Sequence, residues 1–228
     1  MSEKIERLTL AKAITRGLED AMEADRTVVM LGEDIGKLGG VYRVTEGLQA
    51  RFGNRRIMDA PLGESGIIGT SIGMALRGYR PVPEIQFDGF VFPAYNQITS
   101  QLAKIHNRTD KQYTVPVTIR IPYGGVIGSV EHHSESPEAL FAHTAGLRIV
   151  TPSTPHEAAM TRSAAPRGSS PLMPLDPPGA DGGSARTRPI HPSTTSSAPG
   201  PAPSTPSTLS ATPASSHTIR ACATTRDR

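Results

Sequence analysis

The sequence contains no tryptophan and a single cysteine, Cys222. One cysteine excludes a disulfide within the chain, and it excludes a metal site built on several thiolates. No apolar run approaches the roughly 18 residues that a membrane-spanning helix needs. The N-terminal residues include the acidic Glu3 and Glu6 instead of the apolar stretch of a secretory signal. These absences predict a soluble cytoplasmic protein that does not associate with membranes.

The amino acids that build a folded core are missing from the last third of the chain. After residue 157 there is no Phe, Tyr, Val, Lys or Glu, whereas this segment holds 12 of the 21 prolines and 12 serines. Such a composition cannot bury enough apolar surface to offset the entropy lost on ordering. We therefore expect a folded domain over residues 1–157 and a disordered Ser/Pro/Thr/Arg-rich tail over residues 158–228.

The excess of positive charge is confined to this tail. The tail carries seven Arg against three Asp, while the first 157 residues carry 17 Lys and Arg against 18 Asp and Glu. The basic isoelectric point, about 9.2, therefore gives no indication that the folded part binds nucleic acid. A basic-tailed binding protein stays open as an alternative, although the arginines are scattered and have no aromatic residues between them.

Hydrophobic patterning predicts an alternation of helices and strands. The first helix begins after a capping Thr9 and ends at Asp25. Strands are predicted at 27–31, 56–59, 81–87, 115–121 and 147–150, and further helices at 45–52, 65–76, 90–105 and 137–143. This alternation is typical of an α/β domain with a largely parallel sheet and helices on both faces.

The most informative segment is 59–69, in which a strand ends, the chain turns at Pro61 and Gly63, and a helix begins near Glu64. Ligands of open α/β sheets bind at the carboxyl ends of the strands, so Glu64 is a candidate acid–base group. The alternative is a first-turn Glu that only complements the helix dipole. Glycines at positions 66, 69 and 73 lie on one helical face, where another backbone can approach closely.

Other motifs with a chemical meaning are few. The sequence contains no G-x-G-x-x-G at the start of a helix and no phosphate-binding Walker motif. His132 and His133 are adjacent, and a histidine pair in a loop can ligate a metal, but no other residue with ligand spacing accompanies them. We therefore do not predict a metal site.

A series of short motifs makes the chain resemble one enzyme family over residues 7 to about 157. These motifs are ED at 33–34, GGV at 39–41, DAPLGESGI at 59–67, EIQF at 84–87, FPA at 92–94, QI at 97–98, AK at 103–104, IRIP at 119–122, HSESPEA at 133–139 and GLRIVTPSTP at 146–155. In this order they resemble the beta subunit of the thiamine-diphosphate-dependent decarboxylating component of 2-oxo acid dehydrogenase complexes. The wording of the motifs is similar to both the branched-chain and the pyruvate type.

The resemblance implies a transketolase-like pyrimidine-binding domain and a role for five residues. Glu64 matches the glutamate that hydrogen-bonds the aminopyrimidine ring of thiamine diphosphate and promotes proton transfer. Leu62, Gln86 and Phe90 match positions that line this ring, Phe90 by stacking, although an isolated Phe is as easily a core residue. His133 matches the active-site histidine near the substrate and the incoming lipoyl group.

The resemblance also implies partners. In the family, the motif that holds magnesium and the cofactor's diphosphate lies on an alpha subunit, so the site forms between two chains of a heterotetramer. The reaction decarboxylates a 2-oxo acid and transfers the acyl group to a lipoyl arm of the acyltransferase core. The glycines of the 65–76 helix would suit a tight contact with the partner.

The chain departs from the family after Pro155, where members continue into a second α/β domain. The simultaneous loss of Val, Lys, Glu and aromatic residues resembles translation of a GC-rich gene in the wrong frame, and a natural disordered extension is the alternative. Two interpretations therefore stay open: a working enzyme subunit with a shortened end, and a non-catalytic remnant that cannot assemble with its alpha subunit.

Overall fold

A computed structural model describes residues 8–124, 128, 131–161 and 172–176. The elements are, in chain order, α1 (Leu10–Ala24), β1 (Val28–Gly32), α2 (Leu48–Phe52), β2 (Ile57–Asp59), α3 (Glu64–Leu76), β3 (Arg80–Pro83), a 3-10 helix (Asp88–Ala94), a π-helix (Gln97–Leu102), α4 (Ala103–Arg108), β4 (Ile121–Pro122), α5 (Glu138–Ala142), β5 (Arg148–Val150), α6 (Pro155–Thr161) and β6 (Leu172–Asp176). The predicted alternation of helix and strand is confirmed. None of the helices among these residues is long and apolar enough to span a membrane.

All strand pairs in the described part of the chain are parallel. Three strands form a sheet in the order β2-β1-β3, and three more pair in the order β4-β6-β5. The segment before β4 joins the two groups, because the Thr118 and Arg120 amides donate to the carbonyls of Pro81 and Pro83. The parallel α/β sheet predicted from the sequence is therefore confirmed.

Helix α1 illustrates how the pattern of apolar residues positions an element. The Thr9 hydroxyl accepts the Lys12 amide at 3.3 Å and caps the helix. The residues that repeat every three or four positions are buried against the sheet: Leu10, Ile14, Leu18 and Met22. Each such side chain contributes about 1.5–3 kcal/mol to folding when fully buried. A second apolar cluster joins α3, the π-helix, α5 and β5.

The helix predicted over 90–105 is wrong as a single element. The chain forms a 3-10 helix over Asp88–Ala94, a π-helix over Gln97–Leu102 and α4 over Ala103–Arg108. Pro93 lies inside the first of these segments, and a proline lacks the N–H that a regular α-helix needs at that position. Ile98 and Leu102 are nevertheless buried, as their spacing predicts.

The strand predicted over 115–121 is also shorter than expected. Only Ile121–Pro122 forms a strand, and it is preceded by isolated bridge positions at Thr118 and Arg120, of which Arg120 pairs with Glu84. The alternate residues Val115, Val117 and Ile119 are buried. The alternation of apolar residues therefore predicted burial correctly, although the backbone hydrogen bonds of a complete strand are not formed. The ends of the other predicted elements coincide with the observed ones or differ from them by at most four residues.

One element extends past residue 157 and another lies wholly beyond it, in the segment predicted to be a disordered tail. Helix α6 runs to Thr161, and Ala158 is buried in the cluster that contains α1. Strand β6 inserts between β5 and β4, pairing Arg148 with Leu172 and Ile121 with Leu175. The β6 segment contains only three apolar residues, Leu172, Met173 and Leu175. It forms a strand because β4 and β5, on either side, supply hydrogen-bond partners for its backbone. The rest of the predicted tail lies outside the described residues.

Candidate active site at the carboxyl edge of the sheet

The loops that follow four parallel strands carry the candidate residues. Strands β1, β2, β3 and β4 end at Gly32, Asp59, Pro83 and Pro122. The carboxyl ends of parallel strands meet at one edge of a sheet, which is where α/β proteins bind ligands. The predicted site residues follow β2, β3 and β4, so the topology gathers them at this edge.

Glu64 is the first residue of α3 and is 7% exposed. Its position follows from Gly63, which takes a backbone conformation with φ 160° and ψ 82° and supplies no capping side chain. A carboxylate in the first turn is stabilised by the N-terminal end of the helix dipole. The structure thus holds a buried carboxylate at the edge of the sheet, as an acid–base role requires.

A second carboxyl group, Glu33, lies next to Glu64. It follows β1 directly, is 8% exposed, and its Oε1 accepts the Gly63 amide at 3.3 Å. Burial raises the pKa of Glu33; the bond from Gly63 opposes this, and the nearby carboxylates of Glu64 and Asp34 raise the pKa further. Sequence analysis missed Glu33 as a site residue, although an acidic residue directly after a buried strand was an available signal.

The raised pKa predicts how Glu33→Gln affects stability. The folded state holds the Glu33 proton more tightly than the unfolded state, whose pKa is near the ordinary value of 4.5. As pH rises through the interval between these two values, the unfolded state loses its proton first, so the wild type loses stability. A neutral Gln is not subject to this loss. Urea unfolding should therefore show that Glu33→Gln gains stability relative to wild type as pH rises above 4.5.

Glu23→Gln is the matched control for this experiment, because Glu23 is half exposed on α1 and pairs with Arg51 on the surface. We expect Glu23→Gln to change the free energy of unfolding by no more than about 1 kcal/mol. A Glu33→Gln protein that instead lost stability relative to wild type over the same interval would contradict the burial argument.

An aromatic cluster forms the next part of the site. The centroid of the Phe87 ring lies 4.3 Å from that of His133, 5.7 Å from that of Phe90 and 6.0 Å from that of Tyr42. Each pair of rings is in an edge-to-face arrangement. Phe90 is 5.3 Å from His133 and only half-buried, so part of its ring surface is exposed. Phe90 and His133, which lie 43 positions apart in the chain, are thus brought together as the prediction requires.

The tautomer of His133 follows from one hydrogen bond. Its Nδ1 lies 2.8 Å from the carbonyl oxygen of Glu131. Because a carbonyl oxygen only accepts, Nδ1 carries the hydrogen, and in the neutral ring Nε2 then carries the lone pair. His133 can therefore accept a proton at Nε2 and, once protonated, donate from it.

Gln86 and Leu62 take contrasting positions. The Gln86 side-chain amide donates to the Asp34 carboxylate at 3.4 Å, which links the loops after β3 and β1. Leu62 is 83% exposed, although it immediately precedes the Gly63–Glu64 turn. An apolar side chain exposed this far next to a buried carboxylate is available to a ligand or to a partner chain.

The glycine face of α3 is open in the described chain. Alanine methyl groups at Gly66 and Gly73 would have no neighbour within 4 Å, and one at Gly69 would lie 3.8 Å from the Gln97 side chain. The close helix contact predicted for these glycines is therefore not made within the described part of this chain.

The residues fit the ring half of the cofactor that the resemblance implies. A buried carboxylate at Glu64, a partly exposed Phe90 ring and an exposed Leu62 offer a hydrogen bond and apolar contact to a flat heterocycle. Among the described residues, no group of three or more His, Cys, Asp and Glu side chains is arranged to hold a metal ion.

Curated proteins similar to the chain are beta subunits of 2-oxo acid dehydrogenases. The chain is 63% identical over 155 residues to "Pyruvate dehydrogenase E1 component subunit beta" of Leifsonia xyli. The aligned residues make up 68% of this chain and 46% of that protein. The chain is 51% identical over 177 residues to "3-methyl-2-oxobutanoate dehydrogenase subunit beta" of Mycobacterium tuberculosis, covering 78% of this chain and 51% of that protein. The chain spans about half the length of these curated relatives.

A solved structure agrees with the fold. The protein titled "Split gene transketolase, inactive beta4 tetramer" superposes with a TM-score of 0.60 at 15% identity, covering 74% of this chain and 50% of that one. The sequence model of the family described as "Transketolase, pyrimidine binding domain" matches residues 6–173, which extends 16 residues beyond the predicted domain end at 157. Since this match covers most of the sequence, the chain belongs to the transketolase pyrimidine-binding domain family.

Proposed function

We propose that the chain supplies the pyrimidine-binding half of the active site in the decarboxylating component of a 2-oxo acid dehydrogenase complex, as its beta subunit. The observation that carries this proposal is the buried Glu64 at the start of α3, at the same sheet edge as the Phe90–His133 ring pair. The names of the relatives support the same assignment.

Glu64 serves as the proton-exchanging carboxyl group. Bound thiamine diphosphate supplies the acidic thiazolium carbon and the electron sink needed to decarboxylate a 2-oxo acid. With the cofactor bound, Glu64 would hold a proton at its carboxyl oxygen and exchange it during turnover. Glu33, whose pKa is raised chiefly by burial, lies beside Glu64 as a second carboxyl group of the site.

Three residues line the ring and one serves the substrate. Phe90 offers its half-buried face for stacking, Leu62 offers apolar contact, and Gln86 offers its amide oxygen while its nitrogen donates to Asp34. His133 accepts or donates a proton at Nε2, on the substrate side, while its Nδ1–H is held by the Glu131 carbonyl.

An alpha subunit completes the site. We assign it the magnesium and the diphosphate, and we assign the open glycine face of α3 to contacts with it. The acyl product passes to the lipoyl group of an acyltransferase core. Relatives with pyruvate, 3-methyl-2-oxobutanoate and 2-oxoisovalerate in their names leave two substrate classes, pyruvate and branched-chain 2-oxo acids.

A chimera tests this proposal directly. Residues 1–157 replace the equivalent half of the Leifsonia xyli relative, and the product is combined with that relative's alpha subunit, thiamine diphosphate and magnesium. We expect decarboxylation of pyruvate or of 3-methyl-2-oxobutanoate, dependent on both chains. A chimera that assembles and binds the cofactor, yet decarboxylates neither acid, would contradict the proposed role.

The unmodified chain separates the two interpretations left open by its sequence. Analytical ultracentrifugation of its mixture with the alpha subunit reports assembly, and the same sample reports activity. A stoichiometric, active complex supports a working subunit. An active chimera together with an unmodified chain that neither assembles nor reacts supports the remnant.

A further inference from the structure

The carboxylate of Asp88 is buried at the start of the 3-10 helix and is 1% exposed. Its Oδ1 accepts the amide of Gly89 at 2.8 Å, and its Oδ2 accepts the amides of Gly124 at 3.2 Å and Glu135 at 2.8 Å. These donors belong to two segments: Gly89 lies in the turn after β3, and Gly124 and Glu135 lie near the two ends of the loop between β4 and α5, which carries His133. One side chain therefore ties both ends of this loop to the turn after β3.

Asp88 contacts the loop after His133, at Glu135, and Gly89 contacts the same loop before His133, at His132. The Gly89 amide donates to the His132 carbonyl at 3.2 Å. A Cβ at position 89 would lie 2.5 Å from the His132 Cα and 2.7 Å from its carbonyl oxygen, so only glycine permits this approach. His132 itself has φ +65°, an uncommon conformation for a residue with a side chain, which persists where surrounding contacts hold it.

We propose that Asp88 and Gly89 are positioning residues for His133, which this inference assumes to be the substrate-side histidine of the proposed function. The backbone is held at His132 and at Glu135, on either side of His133, and both contacts come from one turn. Phe87, the residue before that turn, packs its ring 4.3 Å from the imidazole. Residues 87–89 thus set both the backbone and the ring orientation of His133.

The charge of Asp88 is essential to this arrangement. A carboxylate has enough lone pairs to accept several N–H groups at once, and hydrogen bonds to a charged acceptor are roughly twice as strong as neutral ones. An asparagine has only one accepting oxygen, so in either orientation its NH2 group faces at least one backbone N–H. Asp88→Asn therefore keeps the size of the side chain and removes part of the anchor.

Amide hydrogen exchange on the intact chain tests the anchor. In Asp88→Asn, we expect exchange to accelerate about 10- to 100-fold at those of the Gly89, Gly124 and Glu135 amides that face the new NH2 group, as for loss of a hydrogen bond to a charged acceptor. Exchange in β1, at Met30 for example, should stay unchanged. Asp25→Asn is the matched control, because Asp25 also accepts a backbone amide, that of Thr27 at 2.8 Å, in a turn remote from His133.

The NMR signals of the His133 ring report its orientation directly. They distinguish a positioning role of Asp88 from a role in stability alone. These signals carry the ring-current shift from Phe87, and we expect them to move toward random-coil values in Asp88→Asn. Gly89→Ala should move them too, although it keeps the carboxylate, because its methyl group displaces His132. Gly73→Ala is the control, since a methyl group there meets nothing within 4 Å.

Two results would overturn this inference. One is unchanged His133 signals in both variants, and the other is exchange that accelerates in β1 as much as at Gly124 and Glu135. These measurements need no cofactor, so they stand even if the chimera is inactive. In an active chimera, Asp88→Asn should lower kcat and leave the KM for thiamine diphosphate near its original value.

Discussion

Glu64→Gln should reduce decarboxylation by the assembled chimera about 10²–10⁴-fold, the usual contribution of a positioned acid–base group. The substitution keeps the size and the hydrogen-bonding capacity of a side chain that is almost fully buried at the start of α3. It removes the carboxyl group and with it the ability to exchange a proton. The fold and most of the cofactor affinity should therefore be retained, while the rate of CO2 release measures the loss.

Two comparisons make this result specific. Glu23→Gln alters an exposed carboxylate on α1 and should leave the rate unchanged. Glu33→Gln leaves Glu64 in place and removes the neighbouring titrating group, so it should shift the pH profile more than the maximal rate. Activity of Glu64→Gln within about threefold of the parent, well below the range expected for general acid–base catalysis, would show that Glu64 is not that group.

Glu84→Ala should lower the free energy of unfolding by about 3–5 kcal/mol, the cost of removing one partner from a buried ion pair. Glu84 and Arg120 pair in the interior, and both side chains are 4% exposed. Their backbones form the bridge that joins the β3 and β4 segments of the sheet. Loss of the carboxylate leaves the guanidinium in a site from which water is largely excluded, at the junction between the two halves of the sheet.

Chemical denaturation of the intact chain measures this loss. Glu23→Ala is the control, because it breaks the exposed pair with Arg51 and should cost no more than about 1 kcal/mol. Equal effects of the two substitutions would mean that the interior pair contributes no more than a surface pair. A Glu84→Gln variant separates charge from volume, since it retains the packing of the side chain and a neutral acceptor.

Periodicity was sufficient for most of the fold, and it failed where backbone hydrogen bonding depends on neighbours. Leu10, Ile14 and Leu18 repeat at helical spacing, so α1 follows from local pattern and a capping threonine. The 90–105 segment has the same spacing at Ile98 and Leu102, yet a proline and local packing divide it into three kinds of helix. Spacing predicts which residues are buried more reliably than it predicts which carbonyl accepts each amide.

Local order in the sequence determined that Glu64 begins α3 after a Pro-Gly turn, because strand end, turn and helix start are all properties of neighbouring residues. Only the tertiary structure decided what surrounds it. Glu33 lies 31 positions earlier, Asp88 binds amides 36 and 47 positions later, and β6 finds its partners more than 20 positions away. Parallel strands connected through helices place such distant segments at one edge, and a pKa or a loop anchor depends on distance in space rather than along the chain.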